Sequence, residues 1–508
     1  MSAPSFTTVA TASPYAKLLS GKRPDMEINI DDHDEAKIYT TFDAINGHVS
    51  ITAPQNARFD EIHITFEGST RTYIDNMSPA SPKSRTSAYH NFLKLTMPIS
   101  EADYPLPRIA EAGRTYTFPF NFVIPDRLLP TSCAHQKEDD HVHEAHIQLP
   151  PSMGDMLFSG KDDLSPEMVK IQYCIKVKVT SIRESDSKKM TVTEGTRKVH
   201  VIPAVVEAPP MSILVDDKDY TMSKTKSLRK GMFSGKLGKI TVSAAQTAPF
   251  TLPKPSSRNS GPASTTATVS LRFEPHEPSL QPPRLGGLTS KLKALTFFSV
   301  KPARAIASRA MMATDYEMSR GVFTTSVPLS SRCVENVTWE KHEPKSIYQR
   351  RDSDLSTSSS DLSDSATTPL HDQRKVYYTA TIVFPLSLPS SKAWVPSFHG
   401  CIASRVYFLD LSLSIHTPGT GIPATNASLR LPLQIAAEGN QSAPAPLSAA
   451  EAATELAQAN AFLTPRTIEV PSEELIGNSV LRHDAPELPP SYEDFLDVAS
   501  PRTVASMS

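Results

Sequence analysis

The chain has 508 residues, 39% of them apolar, with 44 prolines, four cysteines and a net charge of −2. That length gives room for two or three domains, and the proline excess points to loop-rich β structure, unstructured segments, or both. Cys133, Cys174, Cys333 and Cys401 lie far apart with no C-x-x-C among them, which argues against a disulfide framework or a structural zinc site and for a reducing compartment.

Residues 1–25 are rich in Ser, Thr and Ala and lack the apolar stretch of a signal peptide; they read as unstructured. Asn46-Gly47 sits between apolar-patterned flanks and reads as a hairpin turn. Ile62, Ile64 and Phe66 alternate with His63, Thr65 and Glu67, the period of a half-buried strand. In the stretch 115–124, Tyr116, Phe118, Phe120, Phe122 and Ile124 share one face. Pro119 falls on the other face, and its missing amide suits an edge strand or a bulge. His135, His141, His143 and His146 follow, mixed with Asp, Glu and Lys in what reads as a solvated loop. His143-Glu-Ala-His146 is one residue short of the H-E-x-x-H spacing that puts two imidazoles on one helix face, so no metal site is assigned there. Val169, Ile171, Tyr173, Ile175, Val177 and Val179 alternate with Lys170, Gln172, Lys176 and Lys178. Many short strands divided by turn residues make an all-β chain of the sandwich type.

The second half is less regular. Residues 223–309 hold fifteen lysines and arginines against two acids, Glu274 and Glu277. Lys224, Lys226, Arg229, Lys230, Lys236 and Lys239 form a candidate basic patch for an acidic partner. An anionic lipid surface would serve the same physics, at about 1 kcal/mol per basic residue. Gly231 to Lys236 is one residue too short for a P-loop, and Leu237 replaces the Ser/Thr that would hold magnesium. Val269, Leu271 and Phe273 alternate, as do Tyr407, Leu409, Leu411, Leu413 and Ile415, and Leu429, Leu431 and Leu433 suggest a last strand. Between them, residues 350–369 are Ser/Asp-rich and read as a disordered insertion. Arg350-Arg351-Asp352-Ser353 is a kinase-type pattern, which makes Ser353 a candidate phosphosite.

The segment 440–508 carries ten acids, three arginines and no lysine; the last lysine of the chain is Lys392. It reads as disordered, with one short helix expected after Ser448, where Glu451 completes a capping box. The basic block and the acidic tail imply an acidic external partner or contact between the two. Near the end stands ELPPSYEDFL (487–496). Pro489 and Pro490 preset a polyproline II conformation that an aromatic-lined groove would take, and Tyr492 follows where a second pocket would take it. No apolar run reaches the roughly 20 residues of a membrane-spanning helix, and no G-x-S-x-G or Cys-His signature of an enzyme is present.

Several segments, taken in order, resemble the arrestin fold. INGHVSITAPQNARFDEIHITFEGSTRTYI (45–74) looks like an arrestin N-lobe opening, and YTFPFNFVIPDRLLPTS (116–132) with VKIQYCIKVKV (169–179) looks like later segments of that lobe. GKLGKITVSAAQTAPF (235–250) and PPRLGGLTSKLKALTFFS (282–299) look like C-lobe segments of fungal arrestin-related trafficking adaptors. The resemblance implies two consecutive arrestin-like, immunoglobulin-type β-sandwich lobes, an N-lobe at 26–205 and a C-lobe at 206–438. A disordered insertion near 345–372 and an acidic tail at 439–508 complete the layout. It implies a non-enzymatic adaptor without cofactor or metal. Pro489, Pro490 and Tyr492 would bind the WW domains of a HECT-type ubiquitin ligase, and the lobes would engage the cytosolic tails of membrane transporters or receptors. The output would be cargo ubiquitination and endocytosis, with the protein cytoplasmic and peripheral at the plasma membrane and endosomes, and with no nucleic-acid partner. The alternative keeps the fold as a scaffold in ambient-pH or receptor signalling. The chain departs from many relatives in showing one clear Pro-Pro-x-Tyr, and its His-rich stretch at 135–146 has no family counterpart.

Overall fold

The computed structural model describes residues 24–78, 81–155, 160–183, 186–211, 213, 217–231, 235–255, 261–309, 319–343, 375–417 and 423–439. The first ten strands are β1 (Asp25–Ile30), β2 (Ile38–Tyr39), β3 (Ala44–Thr52), β4 (Ala57–Arg58), β5 (Glu61–Ser78), β6 (Ser81–Met97), β7 (Ile109–Ala110), β8 (Thr115–Val123), β9 (Val169–Ile182) and β10 (Lys189–Val201). A three-stranded sheet runs β1-β3-β8 and a five-stranded sheet runs β2-β10-β9-β5-β6. Their inner faces share one core. Ile45, Val49, Phe118 and Phe120 come from the smaller sheet, and Ile64, Phe66, Tyr173 and Ile175 from the larger. Phe66 and Phe122 meet across it with ring centroids 6.0 Å apart.

The period-two readings of this half hold along β8 and β9, while on β5 Thr65 is buried together with Ile64 and Phe66. Along β8 the residues Phe118, Phe120 and Phe122 are buried while Thr117, Pro119 and Asn121 are exposed. β8 is an edge strand, where Pro119 removes no ladder bond that the fold needs. Along β9 every second residue from Val169 to Val179 is buried.

Asn46-Gly47 is not a hairpin turn. Both residues lie inside β3, the middle strand of its sheet, paired with β1 on one side and β8 on the other. Gly47 serves close approach instead. A Cβ there would run into the Asn29 carbonyl and come within 2.7 Å of the Phe120 ring.

The second half contributes β11 (Ser223–Arg229), β12 (Lys236–Ala244), β13 (Phe250–Leu252), β14 (Ser264–Pro275), β15 (Arg284–Ser299), β16 (Arg320–Cys333), β17 (Glu340–His342), β18 (Tyr377–Ser387), β19 (Phe398–His399), β20 (Ala403–His416), β21 (Thr425–Leu433) and β22 (Ile435–Ala437). One sheet runs β11-β12-β14-β18-β17 and the other β16-β15-β20-β19, with β21 also pairing β20. Ile240, Val269, Leu271 and Phe384 from the first pack with Leu292, Leu409, Leu411 and Leu431 from the second. The strand at Leu429–Leu433 is not the last, because β22 follows it and pairs in parallel with β13. The architecture is thus all-β, two consecutive β-sandwiches.

Neither core is closed by its own half alone. Phe298, Val395, Phe398, Cys401, Ile402 and Ala403 join the first core, and Leu164 joins the second. The seam between the sandwiches is therefore packed interior.

Candidate functional site

Pro489, Pro490, Tyr492, Ser353 and the helix expected after Ser448 lie outside the described residues. The basic residues lie on the hairpin β11–β12. β11 is an edge strand, and Lys224 and Lys226 pair with Val242 and Ile240. Paired residues share a face, so these two lysines occupy the side of β11 whose neighbours on β12 are buried. Lys239 pairs with Ser227 on the opposite side, and a register shift beyond Leu228 sets Arg229 beside Lys236. Lys230 reaches Glu277 at 3.6 Å. The six residues thus form a basic rim around one hairpin, not one flat face. Among the described residues, Lys224, Lys226, Arg229, Lys236 and Lys239 form no ion pair, which leaves their charge available to an external anion.

The seam between the sandwiches is more elaborate than the sequence suggested. Arg405, on β20, is fully buried. Its guanidinium donates to the carbonyls of Asp163 at 3.1 Å and Leu164 at 3.3 Å, and to Ser165 Oγ at 3.1 Å. A charge taken out of water needs such acceptors to be tolerated. Lys392 adds an ion pair to Asp162 at 2.9 Å, and the Ala393 amide donates to the Asp162 carbonyl. The loop 162–165 is thereby held by the second sandwich. Leu164 sits in it at φ 62° with its side chain in the second core.

Beside this clamp, the His-rich stretch is not a solvated loop. It forms a 3-10 turn, Pro130–Cys133, and a short helix, α1 (Asp140–His146), which buries Val142 and His146. His90 Nε2 donates to the Ser132 carbonyl at 2.9 Å and anchors the turn. Cys133 Sγ lies 3.3 Å from His135 Nε2 and 3.6 Å from His146 Nδ1. Cys401 arrives from the second sandwich through the tight turn between β19 and β20, its carbonyl accepting from the Ala303 amide at 2.7 Å. One donor atom from each of Cys133, His135, His146 and Cys401 falls within 4.8 Å of all the others. The wide spacing of the cysteines argued against such a site, and the fold cancels that spacing.

His143 and Glu144 do not complete an H-E-x-x-H centre: His143 is outside the donor cluster and Glu144 is exposed. Nor does the cluster suit a nucleophilic thiol. Burial, then the neighbouring Cys133, pushes the Cys401 thiol up to about 12, whereas a reactive cysteine needs a lowered pKa and access to solvent. Burial, then the neighbouring His135, pushes His146 down to about 4 and keeps its imidazole neutral. What these residues can do chemically is donate lone pairs. Sequence offered one signal for the cluster, the density of histidines around Cys133, and none for Cys401.

Among the described residues, no helix is long and apolar enough to cross a membrane. Residues 26–203 match the family model of the arrestin (or S-antigen) N-terminal domain. No curated protein matches the sequence. With that match over the first sandwich, and a second sandwich following it in the same chain, the protein is arrestin-like.

Proposed function

We propose that this arrestin-like protein is an adaptor that recruits a WW-domain, HECT-type ubiquitin ligase to the cytosolic tails of membrane transporters or receptors and so drives their endocytosis. The observation that carries the reading is Pro489-Pro490-Ser491-Tyr492, placed in an acidic, lysine-free segment of a chain whose body is arrestin-like. Arrestin-fold proteins are typically non-enzymatic adaptors, and the chemistry here belongs to the ligase. The adaptor raises the ligase's effective concentration at the cargo. The basic rim of the β11–β12 hairpin supplies charge for an acidic or phosphorylated cargo tail, and phosphorylation at Ser353 would add a competing anion. These activities place the protein in the cytoplasm, at the inner face of the plasma membrane and on endosomes.

Tyr492→Ala tests the reading. It removes the ring and leaves both prolines and every charge in place. A fluorescent peptide spanning Ala485 to Val498 should bind a WW domain of a HECT ligase, and the Tyr492→Ala peptide should lose at least tenfold in affinity, about 1.4 kcal/mol. One motif offers little avidity to hide that loss. Equal binding of the two peptides would remove Tyr492 as the anchor.

A further inference from the structure

The geometry points to a structural zinc site made by Cys133, His135, His146 and Cys401, which ties the two sandwiches together. The ligand set is two sulfurs and two ring nitrogens, and tetrahedral S2N2 sets are characteristic of zinc. With Zn–S near 2.3 Å and Zn–N near 2.0–2.1 Å, such a tetrahedron has S···N edges of about 3.6 Å and an S···S edge of about 3.8 Å. The observed Cys133 Sγ separations of 3.3 Å to His135 Nε2 and 3.6 Å to His146 Nδ1 match those edges. The 4.8 Å span of the whole set leaves only a small contraction.

Three further observations agree. First, His135 is already set as a ligand. Its Nδ1–H donates to the Gln136 carbonyl at 3.0 Å, which fixes the tautomer and leaves the Nε2 lone pair facing Cys133. Second, Cys133, His146 and Cys401 are buried. Zn2+ with two thiolates and two neutral imidazoles carries no net charge, so the centre can form there without a charge left in the interior. On binding, each thiol gives up its proton to solvent and its sulfur lone pair to the metal. Third, four protein donors fill the tetrahedron, the pattern of structural and not of catalytic zinc.

The ligands come from both sandwiches, three from residues 133–146 and one from the β19–β20 turn. Metal binding to a site assembled only in the folded chain adds directly to folding stability, and here the gain falls on the seam.

The test uses the full chain, purified under reducing conditions without chelator. Elemental analysis should find about one zinc per chain. Cys174→Ser, outside the cluster, should keep the metal, and Cys133→Ser and Cys401→Ser should each lose it. Replacing zinc by Co2+ in the wild-type chain should give the strong visible bands of a tetrahedral cobalt–thiolate centre. Stripping the metal should raise amide exchange at both 130–147 and 398–403. A wild-type chain that holds no zinc and gives no cobalt bands would overturn the site, as would a Cys133–Cys401 disulfide in the same preparation. Full zinc retention by both serine variants would also overturn it. Because the wild-type measurements alone decide, a variant that fails to fold does not blunt the test.

Discussion

At the scale of single residues, charge is stabilising only where geometry supplies several partners. Asp410, on β20, accepts from Arg430 at 2.9 Å and pairs with Lys293 at 2.7 Å. Burial alone would favour its neutral form, but the bonds from Arg430 and Lys293 outweigh it and hold the carboxyl below its usual 3.8. A depressed folded pKa means that the contribution is present above the unfolded value and lost as pH falls through the folded one. Asp410→Asn should therefore lower stability by about 1–3 kcal/mol at pH 7, since two cations lose their counter-charge. In urea melts the gap between variant and parent should shrink as pH drops below 3.8. A gap independent of pH would assign the effect to packing.

At the scale of elements, Leu164 carries more than its short loop suggests. It holds a left-handed φ of 62° and is buried in the neighbouring sandwich's core. A non-glycine residue keeps that conformation only when its surroundings repay the strain, and here burial and the Arg405 hydrogen bonds do so. Leu164→Ala keeps the strain and deletes the packing, so about 2–4 kcal/mol should be lost. Leu129→Ala, at a residue 71% exposed, should cost far less in the same thermal melts. Equal shifts for both would mean that the loop is not held by its side chain. The same scale explains what could be read in advance. β8 and β9 were legible because alternation is local, and Pro119 narrowed β8 to an edge strand or a bulge, of which the sheet order shows the edge. Asn46-Gly47 misled because a glycine needed for close approach to β1 carries the same letters as one needed for a turn. Of the donor cluster only the histidines around Cys133 could be seen, because Cys401 is more than half the chain away from Cys133, and its partners are fixed by sheet topology, not by spacing. The seam escaped for the same reason: nothing near Arg405 in sequence shows that it will be buried against residues 163–165.

At the scale of the whole molecule, the shared cores predict one cooperative unit over the described sandwiches. Phe298, Val395, Phe398, Ile402 and Ala403 close the first core from the second half. A chain ending after Val205 should therefore bind a hydrophobic dye strongly and melt without a sharp transition, whereas the full chain should show a single steep transition in those sandwiches. A sharp, dye-silent melt of the short chain would show that the first sandwich closes unaided.

The late position of Arg405 in the chain also sets a clock. The loop 162–165 leaves the ribosome well before the residues that clamp it, and the strand bearing Arg405 follows more than two hundred residues later. At translation rates of about 5–20 residues per second, the first sandwich waits on the order of 10–50 s with part of its interior open to water. Over that interval its safety depends on what shields the nascent chain, and mutations in the seam act first on yield, before they act on the finished protein.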